Sequence, residues 1–518
     1  MLVTCKSLCK SVAENTFYMS AKTIMIQGTG SHVGKSIITA ALCRIFLQDG
    51  YRVAPFKSQN MALNSFVTED GGEMGRAQVV QAEACRLKPT VDMNPILIKP
   101  TANTVAQVIV KGKPVGNMSV EEYIDFKKDA ITIVKESLSK LVNEYDVVVI
   151  EGAGSPAEIN LKSHDLVNMK IAELADAPVL LAGDIDKGGV FAWFVGTIEL
   201  LSQDERERVK GFIINKFRGR RELLNSGIDF LEDKTGKKVV GVIPFFTDIS
   251  IMEEDSVSLS RHSSFVIRHS SLINIDVILL PHISNFTDFD PFELESDVRL
   301  RYIRRFNEID SPDVIIIPGS KNTISDLQYL RSLGIYKKIK KCVADGTELI
   351  GICGGYQMLG KRIIDKDCIE SGSSTEEGFG FLDMVTSFYP EKATYQVNAI
   401  HIDSGVEVSG YEIHMGKSER SQKSKQLPVF KIVRRGANKV ELIDGLKTED
   451  GNIWGTYMHG IFENDFFRRR FLDSIRIKKG SKPLNITTKY DREKEYNKLA
   501  EVVRNNIDMD EIYRIIFS

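Results

Sequence analysis

The chain has no Cys-x-x-Cys pair. Its seven cysteines, at positions 5, 9, 43, 85, 342, 353 and 368, are scattered and odd in number. A disulfide scaffold and a structural zinc framework are thereby excluded, and a reducing compartment is expected. No apolar run of roughly 18 residues is free of charge, so no membrane-spanning helix is expected. Neither sign of charge dominates: 68 Lys and Arg stand against 70 Asp and Glu, mixed along the chain, for a net charge of −2. That balance gives no basis for binding nucleic acid or an anionic membrane surface. Residues 1–20 contain Lys6, Lys10 and Glu14 and no continuous apolar core, so they do not make a secretion signal. They read as a loose extension, with Met19 as an alternative start, and a cytoplasmic location is the expectation. No internal repeat or low-complexity tract is visible, and nothing in the sequence addresses oligomeric state.

What is present is a long chain of ordinary globular composition: 518 residues, 42% apolar and 27% charged. That length exceeds one ordinary core and predicts two or more domains. Short apolar runs at 23–27, 53–56, 147–150, 179–182, 211–214 and 239–243 each lead into a loop rich in Gly, Asn or Asp, then mostly into an amphipathic stretch. The alternation predicts a parallel α/β sheet with helices on both faces. Residues 251–271 are polar and serine-rich, and a second strand series follows at 274–280, 314–317, 349–352, 429–433 and 453–457. The expected organisation is an extension over 1–20, a first α/β domain over 21–255, a linker over 256–271, a second α/β domain over 272–475 and a helical tail over 476–518.

The first strand runs into Gly28-Thr-Gly-Ser-His-Val-Gly34-Lys35-Ser36 and then a helical pattern. This is a phosphate-binding loop with one extra residue before Gly34-Lys35-Ser36. Backbone N–H groups and the helix start would cradle phosphates, Lys35 would reach the β- and γ-phosphates, and Ser36 would hold Mg²⁺. ATP and Mg²⁺ are therefore expected ligands. An acid for the metal belongs at the end of a neighbouring strand, where Glu151 stands, and Asp184 closes another strand. Asp186 reads equally well as a turn residue.

In the second half, Glu348-Leu-Ile-Gly-Ile-Cys353-Gly-Gly-Tyr-Gln357-Met-Leu places one cysteine on a glycine-flanked strand-to-helix turn. That is the pattern of a nucleophile held at a sharp elbow, with the helix start favouring the thiolate. The base best placed for it is His459, at the end of a strand pattern in the same half; His401 and His414 are rivals, with His414 more suited to shaping the pocket. Oxyanion donors are expected from the Gly354 N–H and the loop Pro318-Gly319-Ser320.

Gly351-Ile-Cys353-Gly-Gly-Tyr-Gln357 resembles the elbow of the class I glutamine amidotransferases. The resemblance implies a glutaminyl thioester on Cys353, release of ammonia, and a substrate-holding role for Gln357 and Gly319. That family usually reads His-Pro-Glu at the base; here the sequence is His459-Gly460-Ile461, and Glu463 is out of register. The departure is similar to the cobyrinate and cobyric acid amidase branch and implies a Cys–His pair without a third member. The long phosphate loop resembles that of dethiobiotin synthetase. Lys57-Ser-Gln59-Asn60-Met61, Gly75-Arg-Ala-Gln78, Met93-Asn-Pro95, Glu151-Gly-Ala-Gly, Asp184-Ile-Asp-Lys187, Asn215-Lys-Phe-Arg-Gly219, Ser284-Asn-Phe-Thr-Asp288-Phe-Asp-Pro291 and Gly410-Tyr-Glu-Ile-His414 resemble the adenosylcobyric acid synthase family from about 22 to 470. Lys187 and His282 stand where that family would show arginine, and Arg220 where it tends to show aspartate.

The resemblance implies a glutamine-hydrolysing amidoligase. ATP would phosphorylate peripheral carboxylates (b, d, e and g) of an adenosylcobyrinic acid a,c-diamide, and ammonia from Cys353 would displace the phosphate. Lys57, Gln59 and Asn60 would then face substrate, and Asn215 the adenine edge. The alternatives are an a,c-diamide synthase, which lacks the Lys-Ser-Gln-Asn-Met block, and a non-catalytic nucleotide switch, which leaves Cys353 and His459 unexplained.

Overall fold

The computed structural model describes residues 21–102, 105–252, 272–370 and 375–518. The expected extension over 1–20 and the expected linker over 256–271 lie outside the described residues. All six strands expected in the first half form one parallel sheet, in the order Lys238–Pro244, Val209–Phe217, Val179–Asp184, Lys22–Gly28, Val147–Glu151, Val53–Phe56. Alternation along each strand divides the core in two: Met25, Val148 and Ile150 pack into one apolar cluster, and Ile24, Ile26, Val147 and Val149 into the other. This is the period of a strand buried on both faces. The chain leaves Lys22–Gly28 toward Val53–Phe56 at one edge and leaves its neighbour Val179–Asp184 toward Val209–Phe217 on the other side, so the two connections diverge. The crevice at the carboxyl ends of these strands is where an open α/β sheet binds ligand.

The second half repeats the logic with a different edge. Val298–Ile303, Ile273–Ile278, Val314–Ile317, Glu348–Ile352 and Ile453–Thr456 run parallel. Asn438–Lys447, Leu427–Arg435, Met384–His401 and Glu407–Arg420 then extend the sheet antiparallel. Ile352 pairs with Thr456, and the Cys353 N–H donates to the Thr456 carbonyl at 2.8 Å. The strands that lead into Cys353 and toward His459 therefore end side by side at the same level.

Two features depart from the expected layout. A small sheet of Gln59–Met61, Ile96–Ala102, Val105–Val110 and Lys113–Ser119 and a hairpin of Ser65–Val67 and Glu73–Gly75 form apart from the two large sheets and bond the second half through Thr101, Gln107, Ser65 and Val67. Within the segment 476–518, residues 479–491 form no helix, and the two helices that follow are not appended to the second domain. Arg492–Arg504 and Met509–Phe517 place Tyr496, Leu499, Val503, Ile512 and Ile516 in the same core as the phosphate-loop helix Lys35–Gln48. The Asp508 N–H donates to Val240 O at 2.7 Å, and the Val242 N–H to Asn506 O at 3.0 Å. Gly241 makes room for this: a Cβ there would lie 2.6 Å from Ile507.

Candidate active site

Two centres form. At the first, Gly34 takes a left-handed backbone (φ 99°) and opens the helix Lys35–Gln48. Lys35 Nζ curls onto the loop, donating to Gly30 O at 2.8 Å and Gly154 O at 3.1 Å, so its ammonium lies over the cradle where phosphate oxygens would compete for it. Ser36 Oγ donates to Glu151 Oε1 at 2.8 Å. Glu151 is buried and also receives Lys57 Nζ at 2.8 Å, Gln81 Nε2 at 2.5 Å and Gln78 Nε2 at 3.3 Å. Burial alone would raise its proton affinity, but Lys57 and the Gln81 and Ser36 donors outweigh this and hold the carboxyl below its ordinary range. A cavity of 590 Å³ opens beside this cluster and is lined by Lys35, Ser36, Lys57, Gln59, Asn60 and Glu151 among others.

Among the described residues no group of three or more His, Cys, Asp or Glu side chains gathers as a metal cage. The Ser36–Glu151 pair at a helix start fits a Mg²⁺ that takes its remaining ligands from phosphates and water. Asp184 does not join that pair in its contacts. One oxygen accepts the Asp186 N–H at 2.9 Å and the other pairs with Lys216 Nζ at 2.7 Å, so the expected metal ligand is a loop brace here. Asp186 pairs with Arg218 at 2.9 Å. Asn215 is likewise committed elsewhere than expected. Its Nδ2 donates to Val33 O at 2.8 Å and lies beneath Gly34, where a Cβ would meet it at 2.1 Å. It supports the phosphate loop from below. Gly28 is tight against the same loop, with a Cβ 2.6 Å from Val33. Gln59 Oε1 accepts from Tyr123 at 2.5 Å, and Asn60 Nδ2 donates to Gln78 at 2.9 Å.

At the second centre Cys353 sits at φ 50°, ψ −106° between its strand and the helix Gly354–Leu359. Positive φ in a non-glycine residue at such a turn stores strain that packing must hold. The glycines allow that packing: a Cβ at Gly355 would lie 1.9 Å from Ile317 O, and one at Gly354 would lie 2.8 Å from the Ser320 nitrogen. The elbow is thus pressed against the 318–320 loop. Gly319 in turn faces His459, with a Cβ 3.0 Å from Cε1. Gln357 Oε1 accepts from Thr323 Oγ1 at 3.0 Å, which fixes the first helical turn. His282, where arginine was expected, bonds Asp326 at 2.8 Å; that bond outweighs burial and raises its proton affinity, and Asp326 also accepts from Ser320 Oγ at 2.6 Å.

His459 is buried beside this elbow, its ring stacked on Tyr411 at 5.3 Å. Its Nδ1 meets Asp288 Oδ2 at 2.6 Å, and the other Asp288 oxygen accepts the Gly460 N–H at 2.9 Å. The expectation of a pair without a third member is corrected: the imidazole is oriented by a carboxylate, and that carboxylate comes from 171 positions earlier in the chain. The short turn carrying Asp288, Phe286–Leu294, starts at Asn285 with φ 53°. Burial disfavours the imidazolium, but Asp288 and Cys353 together outweigh it and push His459 up to about 10. Nε2, the ring nitrogen left for Cys353, is buried and meets no other partner among the described residues. The rivals are placed otherwise: His401 bonds Ser404 and packs against Phe430 and Phe467, and His414 bonds Gly416 O at 2.7 Å and stacks on Tyr457. Glu463 pairs with Arg76 at 3.1 Å and with Arg492, and has no contact with His459 among these bonds.

Asp288 lay inside a stretch that the resemblance singled out, yet nothing in its spacing marked it as the partner of His459. Lys57 and Gln78 were legible as part of conspicuous motifs; Gln81, with no motif around it, was not.

Comparison with known proteins agrees with both centres. Residues 24–259 match the family described as the CobQ/CobB/MinD/ParA nucleotide binding domain, and residues 274–467 the CobB/CobQ-like glutamine amidotransferase domain. The chain is 50% identical over 504 residues to a cobyric acid synthase of Dehalococcoides mccartyi strain CBDB1, covering 96% of this chain and 99% of that one. It is 52% identical over 496 residues to a cobyric acid synthase of Clostridium botulinum strain 657, covering 95% and 99%. A cobyric acid synthase of Caldanaerobacter subterraneus is 49% identical over 507 residues, covering 96% and 99%.

Proposed function

The chain belongs to the cobyric acid synthase family, glutamine-dependent ligases of cobalamin biosynthesis, and from that premise we propose how its two centres divide the work. Cys353 attacks the side-chain amide of glutamine. His459, oriented by Asp288, carries the proton to the departing amine, and the N–H groups of Gly354 and the 318–320 loop receive the developing oxyanion. Ammonia and a glutamyl thioester result, and water then releases glutamate. At the other centre Lys35, the loop N–H groups and Ser36 hold the ATP phosphates, and Ser36 with Glu151 holds Mg²⁺, which supplies charge neutralisation when bound. Lys57 adds a second cation at the transferring phosphoryl group. A corrinoid carboxylate becomes an acyl phosphate, because a free carboxylate is too poor an electrophile for ammonia. The acceptors are the b, d, e and g carboxylates of an adenosylcobyrinic acid a,c-diamide. The cavity wall suits such a ligand: Lys127, Lys162 and His164 offer positive or hydrogen-bonding groups beside the exposed apolar Met61 and Leu161.

The observation that carries this reading is that one stretch, residues 57–81, reaches both centres. Lys57, Gln78 and Gln81 bond Glu151, while Ser65 O accepts from Tyr411, the residue stacked on His459. A nucleotide switch has no use for a cysteine elbow joined in this way. The test is incubation with ATP, Mg²⁺, glutamine and the diamide, read by mass spectrometry. Each converted carboxylate should show replacement of hydroxyl by amine. Cys353→Ala should lose this activity with glutamine and keep it with ammonium salts. No mass change with either nitrogen source in the wild type sinks the reading.

A further inference from the structure

Between the two centres lies a buried group of lysines that the chemistry above does not use. Lys99 Nζ, 4% exposed, donates to Glu73 Oε1 at 2.6 Å and Ser65 Oγ at 2.8 Å. Lys392 Nζ, 6% exposed, reaches the other oxygen of the same Glu73 at 2.5 Å and Gln107 at 3.3 Å. One carboxylate thus serves two ammonium groups. Lys321 is a third, buried next to the 318–320 loop and within electrostatic range of Lys99 and Lys392. Glu370, a carboxylate whose charge reaches Lys321, is itself driven up by burial, with Asp365 behind it, and so gives Lys321 a weakened counter-charge. Lys321 is correspondingly pushed down to about 8, first by burial and then by Lys392. Buried cations short of counter-charge are costly unless a ligand completes them.

The cluster borders the elements that frame the thiol, and Lys99 lies within electrostatic range of Cys353. Thr101, two residues along the strand and so on the same face as Lys99, accepts at its carbonyl from Asn322 Nδ2 of the oxyanion-side loop at 3.3 Å. Ser65, which holds Lys99, also receives Tyr411, and Cys353 Sγ lies 3.7 Å from Ile413 O on that same strand. Lys99 and Glu73 come from the nucleotide-binding half, Lys392 and Lys321 from the amidotransferase half. A glutamine whose amide carbon is at Cys353 has its α-carboxylate about 5 Å further on, by ordinary bond lengths.

We propose that this lysine cluster binds the α-carboxylate of glutamine, with Lys99 of the nucleotide-binding half completing a site that the amidotransferase half does not finish alone. The inference rests on the glutaminase reading of Cys353. Charge-assisted bonds to a buried carboxylate would then distinguish glutamine from amides lacking that group.

The test crosses enzyme and substrate changes in the full-length protein. Glutamine is compared with 4-aminobutanamide, which keeps the amide and the amine and lacks the carboxylate. The readout is kcat/KM, or the inhibition constant against glutamine if turnover is too slow. Lys99→Met should lower kcat/KM for glutamine by about 10- to 100-fold, chiefly through KM, and change the value for 4-aminobutanamide by less than about 3-fold. Lys99→Arg, which keeps the charge, should retain most of the discrimination. If Lys99→Met lowers both substrates by the same factor, or if Lys99→Arg discriminates no better than Lys99→Met, the lysine is structural and the inference falls. A wild type that hydrolyses neither substrate overturns the glutaminase reading itself, which is a separate result.

Discussion

Asp288 changes what His459 can do. An imidazole held at Nδ1 by a buried carboxylate keeps one tautomer and orientation and turns Nε2 toward the sulfur. The carboxylate also favours the protonated ring, which is why the imidazole rises to about 10 from an ordinary 6.5. The sign is fixed by charge: removing Asp288 takes away a group that stabilises the imidazolium, so the histidine must titrate at lower pH. In glutaminase assays across pH, Asp288→Asn should move the alkaline limb of kcat/KM downward and cost about 10²-fold at the optimum. An unmoved limb with a uniform loss would show that Asp288 only supports the local backbone, through its bond to the Gly460 N–H. At this scale much of the site was legible. Gly34, Lys35, Ser36, Glu151, Cys353 and His459 sit in short contiguous patterns whose chemistry depends on neighbours in sequence. The contacts of Asn215 and Asp184 were not legible, because a side chain at a strand end can face the ligand or brace the loop. Only packing decides, and here Val33 O and Lys216 claim them.

Among the elements, the parallel strands were readable because burial on both faces demands continuous apolar runs. The hairpin Ser65–Gly75 and the small sheet beside it were not. Their strands are three to seven residues long, and several alternate polar with apolar only weakly. The helix Met509–Phe517 was seen as a helix but not for what it covers. Asp508 caps it by accepting from the Glu511 N–H at 2.9 Å. Ile512 and Ile516 then enter the core around the phosphate-loop helix, and Phe517 stacks on Tyr51. Replacing both isoleucines by alanine should destabilise that half by on the order of 4–8 kcal/mol. Urea unfolding followed by nucleotide-site fluorescence would read it. An unchanged midpoint would mean that the last helix only rests on the surface.

Across the whole molecule, the nucleotide-binding half is covered by the helices Arg492–Arg504 and Met509–Phe517, and the two centres share residues 57–81. Arg76 opens the helix that carries Gln78 and Gln81 to Glu151, and it pairs with Glu463, four residues past His459. The arrangement predicts that ammonia reaches the acyl phosphate without passing through bulk water, where it would become ammonium. With a rapid ammonia scavenger in solution, glutamine-driven amidation should persist while ammonium-driven amidation stops. Collapse of both would mean that the ammonia is released to solvent between the halves.

Read alone, the chain already carries a phosphate loop and a cysteine elbow, because these are local geometries written by glycines, one lysine and one cysteine at fixed spacing. The parallel sheets are as legible, since their apolar runs admit few other uses. Which distant groups complete each centre is settled by packing alone. Asp288 meets His459, Gln81 meets Glu151, and Lys99 crosses from one half toward Cys353, because buried charges must find partners and the fold alone sets which ones are within reach.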